Sequence, residues 1–209
     1  MSKTKLASDV IDRAGNILND VAQTRWTSAV LIDWLNDGQR AIIAYDPAAN
    51  TKRVTAALTA GYLQTNPTDC YKLLDIPFNT TGDVISRVID IGTLYLDDPG
   101  WAQAAGNAEV KHVVFNDVEK TFITYPTQPG VPGSVEIVYA AYPTEVSTPG
   151  NTLGIEDEFF NSLVFYVVFR ALDEDSDNLA SPQLAAVKFA EFISALPMNA
   201  RIQPPQAPQ

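Results

Sequence analysis

Apolar residues in the first fifty positions recur every three or four residues, which is the spacing of one helix face. Leu6, Val10, Ala14, Ile17, Leu18 and Val21 predict an amphipathic helix to about Asp20, weakened modestly by Gly15. A polar turn from Ala22 to Thr27 follows, with Thr27 able to cap a second helix. That helix carries Leu31, Trp34, Leu35, Gly38, Ile42 and Tyr45 on one side and Asp33, Asp37 and Arg40 largely on the other, and Asp46-Pro47 stops it.

From Thr51 the pattern changes to short strands and turns. Val54, Ala56 and Leu58 alternate with Thr55, Ala57 and Thr59, and Gly61 and Asn66-Pro67-Thr68-Asp69 punctuate the run. Lys72 to Ile76 reads as another strand, ended by Pro77, and Asn79 to Asp83 as a turn. Val84 to Ile89 resumes an extended run, and within Asp90 to Trp101 a short helix is expected before Asp98-Pro99-Gly100 breaks it. The clearest hairpin joins His112–Phe115 to Thr121–Pro126 through Asn116–Lys120, because both arms are β-branched or aromatic. A third strand, Val135 to Tyr142, is expected to complete a meander.

Helical character returns at Ile155. Three acids, Glu156, Asp157 and Glu158, suit the partial positive charge of a helix start, and Leu163 to Phe169 is apolar on every side. Such a segment must be covered all round, which predicts the central helix of a soluble bundle. Val164, Val167 and Val168 leave a buried strand as the rival, while length and the acidic first turn favour helix. After the acidic break Asp173–Asn178, Ser181 is a good cap and Pro182 fits the first helical position. Leu184, Val187, Phe192 and Leu196 recur near helical spacing until Pro197.

The order is two helices, about five strands and two helices. The economical architecture is α+β: one helical bundle built from the N-terminal and C-terminal helix pairs, with an inserted antiparallel β-rich region. The expected boundaries are 1–50 for the first pair, 51–145 for the insertion, 146–197 for the second pair, and 198–209 for an extended tail rich in Pro and Gln.

Charge and composition narrow the function. The chain has 209 residues, 46% hydrophobic and 19% charged, a globular balance rather than a disordered one. A net charge of -11 opposes non-specific binding to nucleic acid or anionic membrane, and no Lys/Arg run overrides it. No apolar segment follows the basic start Met1–Lys5, so no secretory leader is expected. Cys70 is the only cysteine, which excludes an internal disulfide and a cysteine zinc cluster and suits a reducing cytoplasm.

Candidate chemistry is sparse. His112 is the only histidine, lies in a strand arm, and has no partners at metal-ligand spacing. Cys70 has no basic activator beside it and reads as a semi-buried small residue. Asp173, Asp175 and Asp177 copy the first ligands of a calcium-binding loop, but Asn178 stands where the turn glycine belongs and Leu184 where the bidentate Glu belongs. A solvated turn between helices is the better reading. No glycine-rich phosphate cradle is present. Phe115, Phe122, Tyr125, Tyr139 and Tyr142 could form a carbohydrate platform, although aromatics alternating on strands are more often core. No catalytic, cofactor or metal residue is therefore expected, and the protein is read as no enzyme.

At Thr24-Arg25-Trp26-Thr27 and Leu31-Ile32-Asp33-Trp34-Leu35-Asn36-Asp37-Gly38-Gln39-Arg40 the chain resembles a family of tailed-phage head-to-tail adaptor (connector) proteins. The resemblance continues through Lys72–Ile76, Phe122–Pro126, Val135–Tyr139 and Phe165–Ala171 in collinear order. It implies a structural virion protein of the neck, assembled in the host cytoplasm. Such adaptors form a homo-oligomeric ring, commonly dodecameric, under the portal protein; the ring extends the DNA channel and docks a tail or nozzle protein. An acidic wall to which DNA does not stick fits that job. The rivals are a tail-associated carbohydrate-binding module and a wall-degrading glycosidase, which incubation with glycans or cell wall would separate from an adaptor. Phe165 and Trp34 are expected in the core. The tail is expected to dock on the portal through Met198, Arg201, Ile202, Pro204 and Pro205, since its twelve residues reach about 40 Å when extended.

Overall fold

The computed structural model describes residues 3–87, 91–175 and 180–197. The chain divides into a helical unit, Met1–Asn50 with Tyr142–Gln209, and a β unit, Thr51–Ala141.

In the helical unit, α1 (Ala7–Leu18) buries Ala7, Val10, Ile11 and Ala14. α2 (Ser28–Tyr45) buries Leu31, Trp34, Leu35, Ile42 and Ile43. A short 3-10 turn, Asp157–Phe159, leads into α4 (Phe160–Asp173), and α5 (Ser181–Ala195) follows. α4 packs against α1, α2 and α5. Gly38 makes the α2–α4 approach possible: a Cβ there would lie 2.7 Å from Leu163 Cδ1 and 2.8 Å from Tyr166 Cδ1. The segment Leu163–Phe169 is helical, which removes the buried-strand rival. Its covering is one-sided, however: Leu163, Val164, Val167 and Val168 are buried, whereas Phe165, Tyr166 and Phe169 are half-buried.

The β unit contains β1 (Thr51–Ala57), β2 (Gly61–Thr65), β3 (Cys70–Asn79), β4 (Ser86–Arg87), α3 (Ile91–Asp97), β5 (His112–Asn116), β6 (Thr121–Gln128) and β7 (Ser134–Ala141). One sheet has the order β1-β7-β3 and the other β2-β6-β5-β4. Leu73, Ile76, Val113, Phe122, Val135, Ile137 and Tyr139 belong to a core of its own. A second cluster places Leu94 and Trp101 on Val114.

The architecture is α+β, but the expected helical bundle carrying an antiparallel insertion is corrected. Helix accounts for 40% and strand for 26%, and the strands form two sheets rather than an appendage to a bundle. The region is also not wholly antiparallel, because β4 pairs with β5 in parallel. Nor do the last three strands form a meander: β6 pairs with β5 and β2, while β7 lies between β1 and β3. The physical reason lies in β7. It buries Val135, Ile137, Tyr139 and Ala141 on one face, with Ala140 the only buried residue on the other, and its backbone pairs with β1 on one side and β3 on the other. The loop before it is equally committed, since a Cβ on Gly133 would stand 2.1 Å from the Ala108 carbonyl oxygen.

Candidate interaction surfaces

Short-range polar contacts shape the motif Thr24–Thr27. The Asp20 carboxylate accepts the backbone amides of Thr24, Arg25 and Trp26 at 2.8, 3.0 and 2.9 Å, together with the Thr24 hydroxyl. These bonds, that from the Trp26 amide above all, hold its carboxyl below the usual carboxylate value. Thr27 occupies the helix-cap position but makes no capping bond, so Asp20 organises the entry to α2 instead. Arg25 then pairs with Asp175 at 2.5 Å and lies over the Trp26 ring, which meets Trp34 edge-on at 5.3 Å.

Asp175 is thereby explained. It also accepts the Ser181 hydroxyl at 3.0 Å, so this member of the acidic break closes the α4–α5 turn. Asp173 ends α4, Asp177 lies outside the described residues, and no cluster of three metal-ligating side chains occurs among the described residues. Of the three acids at the α4 entry, Asp157 is likewise employed. Asp157 accepts from the Thr4 hydroxyl at 2.6 Å and from the Thr4 and Lys5 amides, which fastens the N-terminal segment and lowers its own carboxyl.

Buried carboxamides are the residues that periodicity misses. Asn36 and Val146 exchange two hydrogen bonds of 2.9 Å, and Gln39 accepts the Gly154 amide at 2.6 Å, pinning the returning loop to α2. In the β unit, Asn79 does the same for Val110 at 2.8 and 2.9 Å. Each side chain imitates a peptide group in a strand pair, and leaving it unmatched would cost the desolvation of buried backbone. The only advance signal is a lone amide among apolar neighbours.

The remaining candidates go to structure. Half-buried His112 stacks on Tyr125 at 5.8 Å. Cys70 is buried, and that burial pushes its thiol up to about 11, far from thiolate reactivity. Phe122 and Tyr139 are core, and the Arg87 guanidinium sits 4.2 Å from the Phe115 ring, so the five aromatics do not share an exposed platform. Burial, then the hydrogen bond to Asp69 at 2.9 Å, pushes the Tyr139 hydroxyl up to about 12. Trp34 is buried as expected, whereas Phe165 is only half-buried beneath Lys188. Met198, Arg201, Ile202, Pro204 and Pro205 lie outside the described residues. No helix among the described residues is long and apolar enough to cross a membrane.

Several large apolar side chains are left outside. Leu184, Val187 and Phe189 are exposed on α5, Ile17 and Val21 at the end of α1, and Tyr95, Leu96 and Val118 on the β unit. Beside Val118 lies a groove of about 410 Å³ lined by Ile91, Val114, Phe115, Asn116, Asp117 and Ile123. Apolar side chains turned outward are a usual feature of the class of proteins that bind partners.

That class has a family. The SU10 adaptor protein model matches residues 6–209, and the chain belongs to this family of phage head-to-tail adaptors. No curated protein matches the chain. Membership gives it a structural adaptor role, implies a portal and a tail as partners in general, and implies the virion neck as its location.

Proposed function

We propose that the protein assembles as a ring, dodecameric as in other adaptors, beneath the portal, extends the DNA channel and docks the tail. The observation that carries this reading is the family match along residues 6–209. Charge supports it independently. With a net -11 the copies would form a wall that repels phosphate, and a duplex would pass without being trapped. Assembly takes place in the host cytoplasm, before the tail joins.

Residues 51–145 act as an inserted domain between the helix pairs 1–50 and 146–197. The tail, 198–209, is the portal strap. Met198 and Ile202 fill small apolar pockets, Arg201 pairs with an acid, and Pro204 and Pro205 keep the segment extended, so a second contact is made at raised effective concentration. Light scattering of the purified chain with and without portal tests the reading. A large rise in mass is expected on mixing, and an unchanged mass would count against it. Removing residues 198–209 should leave the thermal midpoint nearly unchanged while weakening portal attachment; equal attachment would remove the strap.

A further inference from the structure

The sheet β1-β7-β3 has two edges of different character. The outer side of β3 is closed: its pairing shifts register at three places, and the Pro77 carbonyl and Asn79 amide are taken by Ile85 and Asp83. β1 pairs with β7 without a shift from Thr51 to Ala57. In that same register the Leu58 amide donates to the Gly133 carbonyl at 3.0 Å, which sets the alternation along the strand. Val54 and Ala56 turn their main-chain groups to β7, and Arg53, Thr55 and Ala57 turn theirs outward. No described residue bonds those outward amides and carbonyls, and all three residues are exposed. β1 therefore presents a regular row of main-chain donors and acceptors, and the group that matches such a row is another extended strand.

We propose that β1 pairs antiparallel with β1 of a second copy of this chain, across a two-fold axis at Thr55. The strand is complementary to itself in that register. Arg53 stands opposite Ala57 of the second copy and Thr55 opposite Thr55, so every outward group from Arg53 to Ala57 is matched. Val54 comes beside Ala56 of the second copy, on the face where both pack on the core of the β unit. No like charges stand opposite, and the two cations of the strand already meet acids of their own chain: Lys52 meets Asp69 at 2.6 Å and Arg53 meets Glu136 at 2.5 Å. That local neutrality is what lets two copies of -11 approach along this edge. Growth stops at two, because β3 offers no second open edge, and the product is one continuous sheet of six strands. Seven residues make a short edge, so the pair is reversible and depends on concentration. A two-fold contact cannot run round a cyclic ring; the pair belongs to the chain away from its portal and does not depend on the ring proposed above.

Cysteine substitution reads the register. Pairing brings Thr55 of the two copies to about 5.5 Å between Cα atoms, whereas the two Arg53 positions lie about 13 Å apart along the strands. With the shortest bis-methanethiosulfonate linker, the concentrated protein is expected to give dimer from Thr55→Cys and monomer from Arg53→Cys, with buried Cys70 too unreactive to compete. Equal dimer from both variants would mean random collision, and monomer from both would mean no pairing; either result overturns the proposal. Thr55→Pro gives an independent reading, since it removes an outward amide while Val54 and Ala56 keep their bonds to β7. Sedimentation velocity of the unsubstituted chain is expected to show a dimer at high concentration. Thr55→Pro should weaken that dimer at least ten-fold while leaving the thermal midpoint nearly unchanged. A dimer that survives the proline, or an unsubstituted chain that stays monomeric, would overturn the pairing through β1.

Discussion

In the helical unit, α4 is covered by α1, α2 and α5, and each helix is made from residues adjacent in sequence. In the β unit, the central strand β7 pairs with β1, so Thr51 meets Ala140 and the first strand closes on the last. Both units join distant parts of the chain, since Gly38 of α2 lies against Leu163 of α4; the difference is that each helix makes its own backbone bonds, whereas a strand makes them only with its distant partner. Both then rely on the same polar device, a buried asparagine holding a loop in strand-like fashion. Stability in the two units has a common chemistry, and what differs is where the backbone hydrogen bonds are made, within each helix or between distant strands.

The largest effect should come from core aromatics, one in each unit. Phe122→Ala and Trp34→Ala each remove a buried ring, and each should cost about 3 to 5 kcal/mol. If the units unfold separately, calorimetry will show each variant lowering one transition and sparing the other. Equal displacement of a single transition would mean that the comparison describes one cooperative body.

Close approach comes next. Gly133→Ala brings a methyl group against the Ala108 carbonyl oxygen, a backbone atom that cannot rotate away, and should cost about 2 to 3 kcal/mol in the β unit. Gly38→Ala meets side-chain atoms of Leu163 and Tyr166, which can yield, and should cost less. Denaturant midpoints would show the order, and a reversal would place the tighter packing between α2 and α4.

How far the sequence could be read follows the same division. Ranges of three and four residues place α1, α2, α4 and α5, and the β5–β6 hairpin is legible because its arms are adjacent. Period-two alternation reports which face a residue takes, never which strand lies beside it. The partners of β7 were therefore hidden, although its buried face is written in Val135, Ile137, Tyr139 and Ala141. In α5 the large residues misled, since Leu184 and Val187 face out while the small Ser181 and Ala185 face in beside Phe192. The carboxamides Asn36 and Asn79 were illegible because their partners, Val146 and Val110, are distant in sequence. With one histidine and one cysteine, the sequence offered no inventory for a histidine-based triad or a cysteine zinc cluster.

Those carboxamides give the third comparison. Asn36→Ala and Asn79→Ala each strand a buried amide and carbonyl, at about 2 kcal/mol or more apiece. Similar losses in the two transitions are expected; a negligible loss at either position would mean that water replaces the side chain there.

Acid should produce the smallest effect; in the β unit Asp69, bonded by Lys52, is held low, and the helical unit responds through Asp20 and Asp157. The latter two carboxyls lie below their ordinary value near 3.8 in the folded state, so their contribution is present above that pH and is lost as pH falls through the lowered folded values. Asp20→Asn should lower stability at neutral pH and flatten its decline in acid. An unchanged acid profile would remove Asp20 from the account of the α1–α2 turn.

The central claim is that this acidic α+β chain is an adaptor ring on a portal, and imaging the chain mixed with its portal by electron cryomicroscopy tests it most directly. A symmetric ring of copies continuous with the portal channel, each showing the helical and β units, is the expected result. Portal particles bare at that end, in the presence of excess folded protein, would contradict it.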